Sequence, residues 1–142
     1  MYGLDHPQDS ALAVLEDVGL TLRRHDRVRT FSRGMLQRLS IARATLHNPS
    51  ILFLDEPFTG LDMHASNVLK EHLQTLHNNK RTILMTTHDI SCGLEMCDKV
   101  ALQVMGKFVF FKDIKNVDKA SFEKLYFDAV SNNQFTMGIR SH

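Results

Sequence analysis

Only two cysteines, Cys92 and Cys97, occur in 142 residues. That is too few for a disulfide framework of the secreted kind, so both are expected to be reduced thiols. Five apart on an expected helix, they do not share a face and read as buried or inert groups. No apolar run approaches the roughly 20 residues of a membrane-spanning helix. The opening residues place Asp5, His6, Pro7 and Asp9 where a secretory leader would be apolar. No linker rich in Pro, Gly or Ser and no internal repeat interrupts the chain. Neither sign of charge dominates: 17 Lys and Arg against 16 Asp and Glu leave +1, so no bulk field draws the chain to nucleic acid or an acidic membrane. These absences imply a soluble, cytoplasmic chain with the length of one ordinary domain.

What is present alternates between helical and strand periodicity. Ala11 to Leu20 reads as a short amphipathic helix with Asp9 or Ser10 as its cap. Seven of the nine arginines fall between Leu22 and Arg43, the one local charge anomaly. With no interleaved aromatic platform, a solvated surface explains it better than a nucleic-acid site. Ser32 opens a second helix that Asn48-Pro49 stops. Ser50 to Leu54 is a short run, wholly apolar after the serine, which suits a strand buried on both faces of a parallel sheet. Asp62 caps a third helix, Met63 to Asn79, with Leu69, Leu73 and Leu76 inward, and Thr82 to Thr86 is a second buried strand. A short helix from Ile90 to Met96 follows. Lys99 to Val104 and Lys107 to Phe111 flank Met105-Gly106, which predicts a tight hairpin with Phe108, Phe110 and Phe111 as edge and core packing groups. Ser121 to Val130 is a last helix, and Ser131 to His142 reads as a polar, fraying tail. The fold class is therefore α/β, with right-handed crossovers linking the first three strands.

In open parallel sheets, ligands bind beyond the carboxyl ends of the strands. Here those ends are Asp55-Glu56 and Thr86-Thr87-His88-Asp89. Two carboxylates and an imidazole suit phosphate chemistry: one carboxylate for a divalent metal, one to orient water, and a histidine to reach a terminal phosphate. An acidic residue closing a strand is also often only a helix cap, and each strand end alone leaves both readings open. The other seven histidines lack metal-ligand spacing.

The surrounding motifs carry more weight together. FSRGMLQRLSIARA (Phe31 to Ala44), ILFLDEP (Ile51 to Pro57), TGLD (Thr59 to Asp62) and THD (Thr87 to Asp89) occur in this order. From about Ala11 to Phe111 the chain resembles the C-terminal part of the nucleotide-binding domain of ATP-binding-cassette (ABC) transporters. The style of these motifs is most similar to prokaryotic exporter ATPases, among them that of the haem exporter of cytochrome c biogenesis. The resemblance implies a P-loop NTPase-like parallel sheet with flanking helices and part of a helical subdomain. It assigns residues 1–48 to that subdomain with the signature motif, 49–111 to the ATPase core, and 112–142 to a C-terminal helix and tail.

The resemblance also implies roles. Ser32 and Gly34 match the polar contacts of the Leu-Ser-Gly-Gly-Gln signature, presented in trans to ATP on an opposite subunit. Phe31, Arg33 and Met35 depart from that motif. A serine hydroxyl and free N–H groups at a helix start make an anion site, although Ser32 also fits a plain N-cap. Asp55 matches the Walker B carboxylate for Mg²⁺, Glu56 the glutamate that polarises water, and His88 the switch histidine at the γ-phosphate. Asp62 matches the aspartate of a loop crossing a dimer interface, a role compatible with capping. The implied partners are a second ABC ATPase subunit and membrane-spanning subunits, with ATP and Mg²⁺ as cofactors, no nucleic acid, and a place on the inner face of the plasma membrane.

One component is missing from the residues themselves: none of the seven glycines begins a G-x-x-x-x-G-K-[ST] phosphate loop. The family places that loop, with its strand, upstream. The chain is thus expected to open inside the helical subdomain, to leave an apolar sheet edge unpaired, and to be inactive alone. Two other readings remain: the ABC-type lobe of a DNA-repair or chromosome-maintenance ATPase, and a non-enzymatic half-site donating Ser32 and Gly34 in trans.

Overall fold

The computed structural model describes residues 6–138, with side-chain surroundings through residue 131. The polypeptide divides between Thr87 and His88 into two compact units.

The first unit begins with helix α1 (Pro7–Asp17), with Pro7 in its first turn. Proline's fixed φ suits that position, so the helix starts ahead of the expected Ala11. It also ends earlier than Leu20. Gly19 takes φ +66, its N–H donates to the Glu16 carbonyl (2.9 Å), and the Leu20 N–H donates to the Leu15 carbonyl (2.7 Å). This is a Schellman stop, which needs a residue without a Cβ penalty at its left-handed position. The stop turns Val18 and Leu20 into a core: both are essentially inaccessible, and they pack with Ala42, Val14, Leu15, Phe31, Met35 and Leu39. Short 3₁₀ turns at Thr21–Arg23 and Val28–Thr30 lead to helix α2 (Arg33–Thr45). Its inward face is Ile41, Ala42 and Thr45, whereas Leu36 is exposed.

Strand β1 (Ile51–Asp55), helix α3 (Met63–Asn78) and strand β2 (Thr82–Thr86) follow. The strands pair in parallel, from Ile51 opposite Thr82 to Asp55 opposite Thr86. Leu69, Leu73 and Leu76 of α3 are buried as expected. The strand, however, is buried on one face only. Leu52 and Leu54 are inside, while Ile51, Phe53 and, on β2, Leu84 are exposed at 55%, 73% and 58%. An apolar run makes both faces fit for burial, but the described elements cover only one.

The second unit holds α4 (Ile90–Met96), β3 (Lys99–Val104), β4 (Lys107–Asp113), a 3₁₀ turn at Ile114–Asn116 and α5 (Lys119–Gly138). Strand β3 pairs antiparallel with β4 in a sheet of its own, so the expected crossover joins β1 to β2 but does not extend to β3. Met105 and Gly106, both with positive φ, make the tight turn, the conformation whose twist matches that of the strands. Phe110 meets Phe122 of α5 edge to face at 5.2 Å. Phe108 and Phe111 are exposed, contrary to the packing role expected of them, because a two-stranded ribbon has one covered face here. The polar segment after Val130 continues α5 to Gly138. Polarity alone does not end a helix, and no proline or glycine interrupts it before that residue. Residues 139–142 of the expected tail lie outside the described residues. Cys92 is buried and Cys97 half-buried, neither in a disulfide, and burial raises the Cys97 thiol pKa above its ordinary value.

Candidate functional site

The carboxyl end of β1 delivers Asp55 and Glu56 at a point where the backbone turns sharply. Glu56 adopts φ +47, a left-handed conformation that a residue with a Cβ reaches only when its surroundings demand it. Those surroundings are the ladder and the next turn: the Glu56 N–H donates to the Thr86 carbonyl (3.0 Å), and the Glu56 carbonyl accepts from the Thr59 N–H (3.1 Å). Pro57, fully buried, follows at once.

Three threonines address the two acids. The Thr86 hydroxyl, directly across the ladder, donates to Asp55 Oδ1. The Thr59 and Thr87 hydroxyls stand 3.4 and 3.5 Å from Glu56 Oε2. Sequence reasoning missed all three. The signal available was the parallel register: a threonine two residues before His88 on the neighbouring strand falls opposite Asp55.

The start of α2 is the second component. Ser32 is its N-cap, with Oγ accepting from the Met35 N–H at 3.2 Å. Gly34 lies so close to the Thr59–Asp62 loop that a Cβ there would stand 3.2 Å from Leu61 Cδ2 and 3.3 Å from the Gly60 carbonyl oxygen. Asp62 caps α3, with Oδ1 accepting from the Ala65 N–H at 2.8 Å. Thus Ser32, Gly34 and Asp62 share one region of the first unit with its acidic turn. His88 opens the second unit, exposed and immediately after Thr87.

Of the arginine stretch, Arg23, Arg24, Arg27, Arg29, Arg33 and Arg43 are exposed, consistent with a solvated surface. Arg38 differs. Its Nη1 donates to the Val18 carbonyl (2.8 Å) and the Gly19 carbonyl (3.2 Å), clamping the end of α1 to α2. Nothing in its local spacing marks that function, since its acceptors lie about twenty residues upstream.

Among the described residues, no group of three or more His, Cys, Asp or Glu side chains is placed to hold a metal ion. A magnesium ion does not need one, because it keeps several waters and takes one or two carboxylates along with phosphate oxygens. Asp55 with the Thr86 hydroxyl is a hard-oxygen set of that kind. No helix among the described residues is long and apolar enough to cross a membrane.

Comparison with known proteins identifies the family and the fold. The family described as ABC transporter matches residues 5–59. The linearmycin resistance ATP-binding protein LnrL of Bacillus subtilis is 36% identical over 111 residues, covering 77% of this chain and 36% of that protein. An aliphatic sulfonates import ATP-binding protein of Rhodococcus jostii is 41% identical over 101 residues, covering 70% of this chain and 41% of the relative. The chain therefore spans well under half the length of these curated relatives. Among solved structures, the ATP binding subunit of an ABC transporter superposes with a TM-score of 0.75 at 23% identity, over 90% of this chain and 56% of that one. The ADP conformation of an ABC transporter cassette, MJ1267, gives 0.68 at 23% identity, over 81% and 47%. These likenesses establish the P-loop NTPase fold. The chain belongs to the ATP-binding domains of ABC transporters.

Proposed function

We propose that this chain is the signature-and-carboxylate part of a transport ATPase that binds and hydrolyses ATP to drive a solute across a membrane. The observation that carries the reading is the Asp55-Glu56 turn, held left-handed at Glu56, in the same unit as an α2 start packed against Gly60 and Leu61. In this reading the Asp55 carboxylate would hold Mg²⁺, which would neutralise phosphate charge, and the Glu56 carboxylate would accept a hydrogen bond from the attacking water and so polarise it. Thr59 and Thr87 orient the Glu56 carboxylate, and His88 reaches the γ-phosphate. Ser32 and Gly34 face ATP held by a second ATPase subunit, where N–H groups and the helix dipole favour anions. Asp62 contributes to that interface while capping α3. Residues 1–48, 49–111 and 112–142 then correspond to a helical subdomain with the signature, the ATPase core, and a C-terminal extension. The partners are that second subunit and membrane-spanning subunits, which place the chain on the cytoplasmic face of the membrane.

The relatives are named for import and for resistance alike, and the haem-exporter likeness of this chain is one of motif style. A half-site that donates Ser32 and Gly34 without loading nucleotide is favoured for the chain by itself, since no phosphate-loop motif occurs in its sequence. Equilibrium binding of Mg-ATP tests both points. The chain alone should show no measurable binding, and it should associate with a phosphate-loop-bearing ABC subunit only when Mg-ATP is present. Micromolar affinity in the chain alone, or association indifferent to nucleotide, refutes the reading.

A further inference from the structure

The contact between the start of α2 and the Thr59–Asp62 loop is reciprocal. On one side, the Leu61 side chain fills the space above Gly34, with Cδ2 3.2 Å from where a Cβ would stand. On the other, the Arg33 side chain lies across Gly60: Cδ, Nε and Cγ are 3.2, 3.3 and 3.6 Å from the Cβ position there. Each segment thus sets one side chain on the other's glycine. Gly60 also holds φ +78, so the loop conformation and the seat for Arg33 depend on the same missing Cβ. The loop connects back to the acids, since the Thr59 N–H and hydroxyl meet the Glu56 carbonyl oxygen (3.1 Å) and Oε2 (3.4 Å).

We propose that Arg33 is a positioning residue that locks the Thr59–Asp62 loop to the start of α2, so that the Glu56 turn and the Ser32–Gly34 turn move as one body. Its methylene stem does this work over Gly60, and its charge is not required for the lock. The functional consequence rests on the reading above: displacement of Glu56 during a catalytic cycle would carry Ser32 and Gly34 with it. The lock itself needs only the two glycine seats.

Amide hydrogen exchange on the whole chain tests the lock without nucleotide. Arg33→Ala should accelerate exchange at Thr59 and Leu61 about tenfold, the size expected when touching groups are uncoupled. Exchange at Gly19 and Leu20, in the α1 stop, should not change. Arg33→Lys keeps the stem and should restore protection. Gly60→Ala should accelerate exchange less in the Arg33→Ala background than in the parent, because the seat is already empty, while the strain of an alanine at φ +78 remains in both. Unchanged loop exchange in Arg33→Ala, failure of lysine to restore it, or equal acceleration at Gly19 and Leu20 would overturn the proposal. None of these readouts involves ATP, so failure here is distinct from failure of the Mg-ATP experiment.

Discussion

Replacing Gly19 by alanine tests how the first unit is held together. Gly19 stands at φ +66, and an added Cβ would lie 3.1 Å from Arg38 Nη1 and 3.5 Å from Val68 Cγ1. The second contact is ordinary and adds nothing. The left-handed conformation costs an alanine about 1–2 kcal/mol. The first contact forces Arg38 to give way, stretching hydrogen bonds of 2.8 and 3.2 Å to the Val18 and Gly19 carbonyls. Charge-assisted bonds to the backbone contribute about 1.5–3 kcal/mol. The expected total is therefore about 2–5 kcal/mol, spanning partial to full displacement of Arg38. Gly106 supplies the reference, since its φ is +76 and nothing lies within 4 Å of its Cβ position. Gly106→Ala should show the conformational term alone. Urea unfolding with an unchanged m value measures each cost. Arg38→Met removes the donor and should reduce the Gly19→Ala cost to the Gly106 level. If Gly19→Ala costs the same with and without Arg38, the clamp does not hold α1 to α2 and the reasoning fails.

Acidification should destabilise the first unit through His72. Burial, more than Arg81, lowers its pKa from the ordinary 6.5 against the raising influence of Asp17. The unfolded chain therefore binds the proton first as pH falls, so stability is complete above 6.5 and declines below it by up to about 1.4 kcal/mol per pH unit until the folded value is reached. His72→Gln should flatten that slope relative to the parent in unfolding curves between pH 7.5 and 5.5; an unaltered slope disproves it. Asp62→Ala should lower stability by about 1 kcal/mol through the lost α3 cap, and Asp62→Asn by much less; equal losses would show that the cap contributes nothing. The exposed face of Ile51, Phe53 and Leu84 predicts concentration-dependent self-association in sedimentation, relieved by Phe53→Lys. A parent chain monomeric at every concentration would contradict this. In an ATPase assembled with a phosphate-loop subunit, Glu56→Gln should abolish turnover while Mg-ATP still drives association; retained turnover would remove Glu56 from the chemistry.

Helices α2 and α3 and both strands of the parallel pair lie close to where periodicity and caps put them, because Ser32, Asp62 and Pro49 are local signals that act within a few residues. Local signals also misled where a competing one was passed over. Gly19 ended α1 although apolar spacing continued to Leu20, and Pro7 began it ahead of two acceptable caps. Burial was the least legible quantity. Leu52 and Phe53 are equally apolar, but only their alternation, set by the pleat, decides which faces a cover. The Arg38 clamp and the contacts of Thr86 and Thr87 were not legible because each depends on a partner brought from a distant segment, whereas Thr59 lies three residues from Glu56 and meets it only through the turn that the left-handed Glu56 makes. Asp55 and Thr86 are thirty-one residues apart in the chain.

That distance has a consequence for how the acids can act. A carboxylate at a strand end is free to sample several rotamers unless something across the sheet restrains it. Here the restraint on Asp55 comes from β2, and the restraint on Glu56 comes partly from Thr87 at the end of the same strand and partly from Thr59 on the loop that α2 grips. Threonine is suited to this, since its branched Cβ stiffens χ1 in a strand and so fixes the hydroxyl. Serine at position 86 would keep the donor but loosen it. Thr86→Ser should therefore preserve fold stability within about 0.5 kcal/mol while weakening the discipline on Asp55, and Thr86→Val should keep the shape while removing the donor. If turnover in the assembled ATPase falls with valine and only slightly with serine, the hydroxyl acts by positioning the acid. If valine leaves turnover intact, Asp55 is held by the backbone turn alone and the threonine is packing.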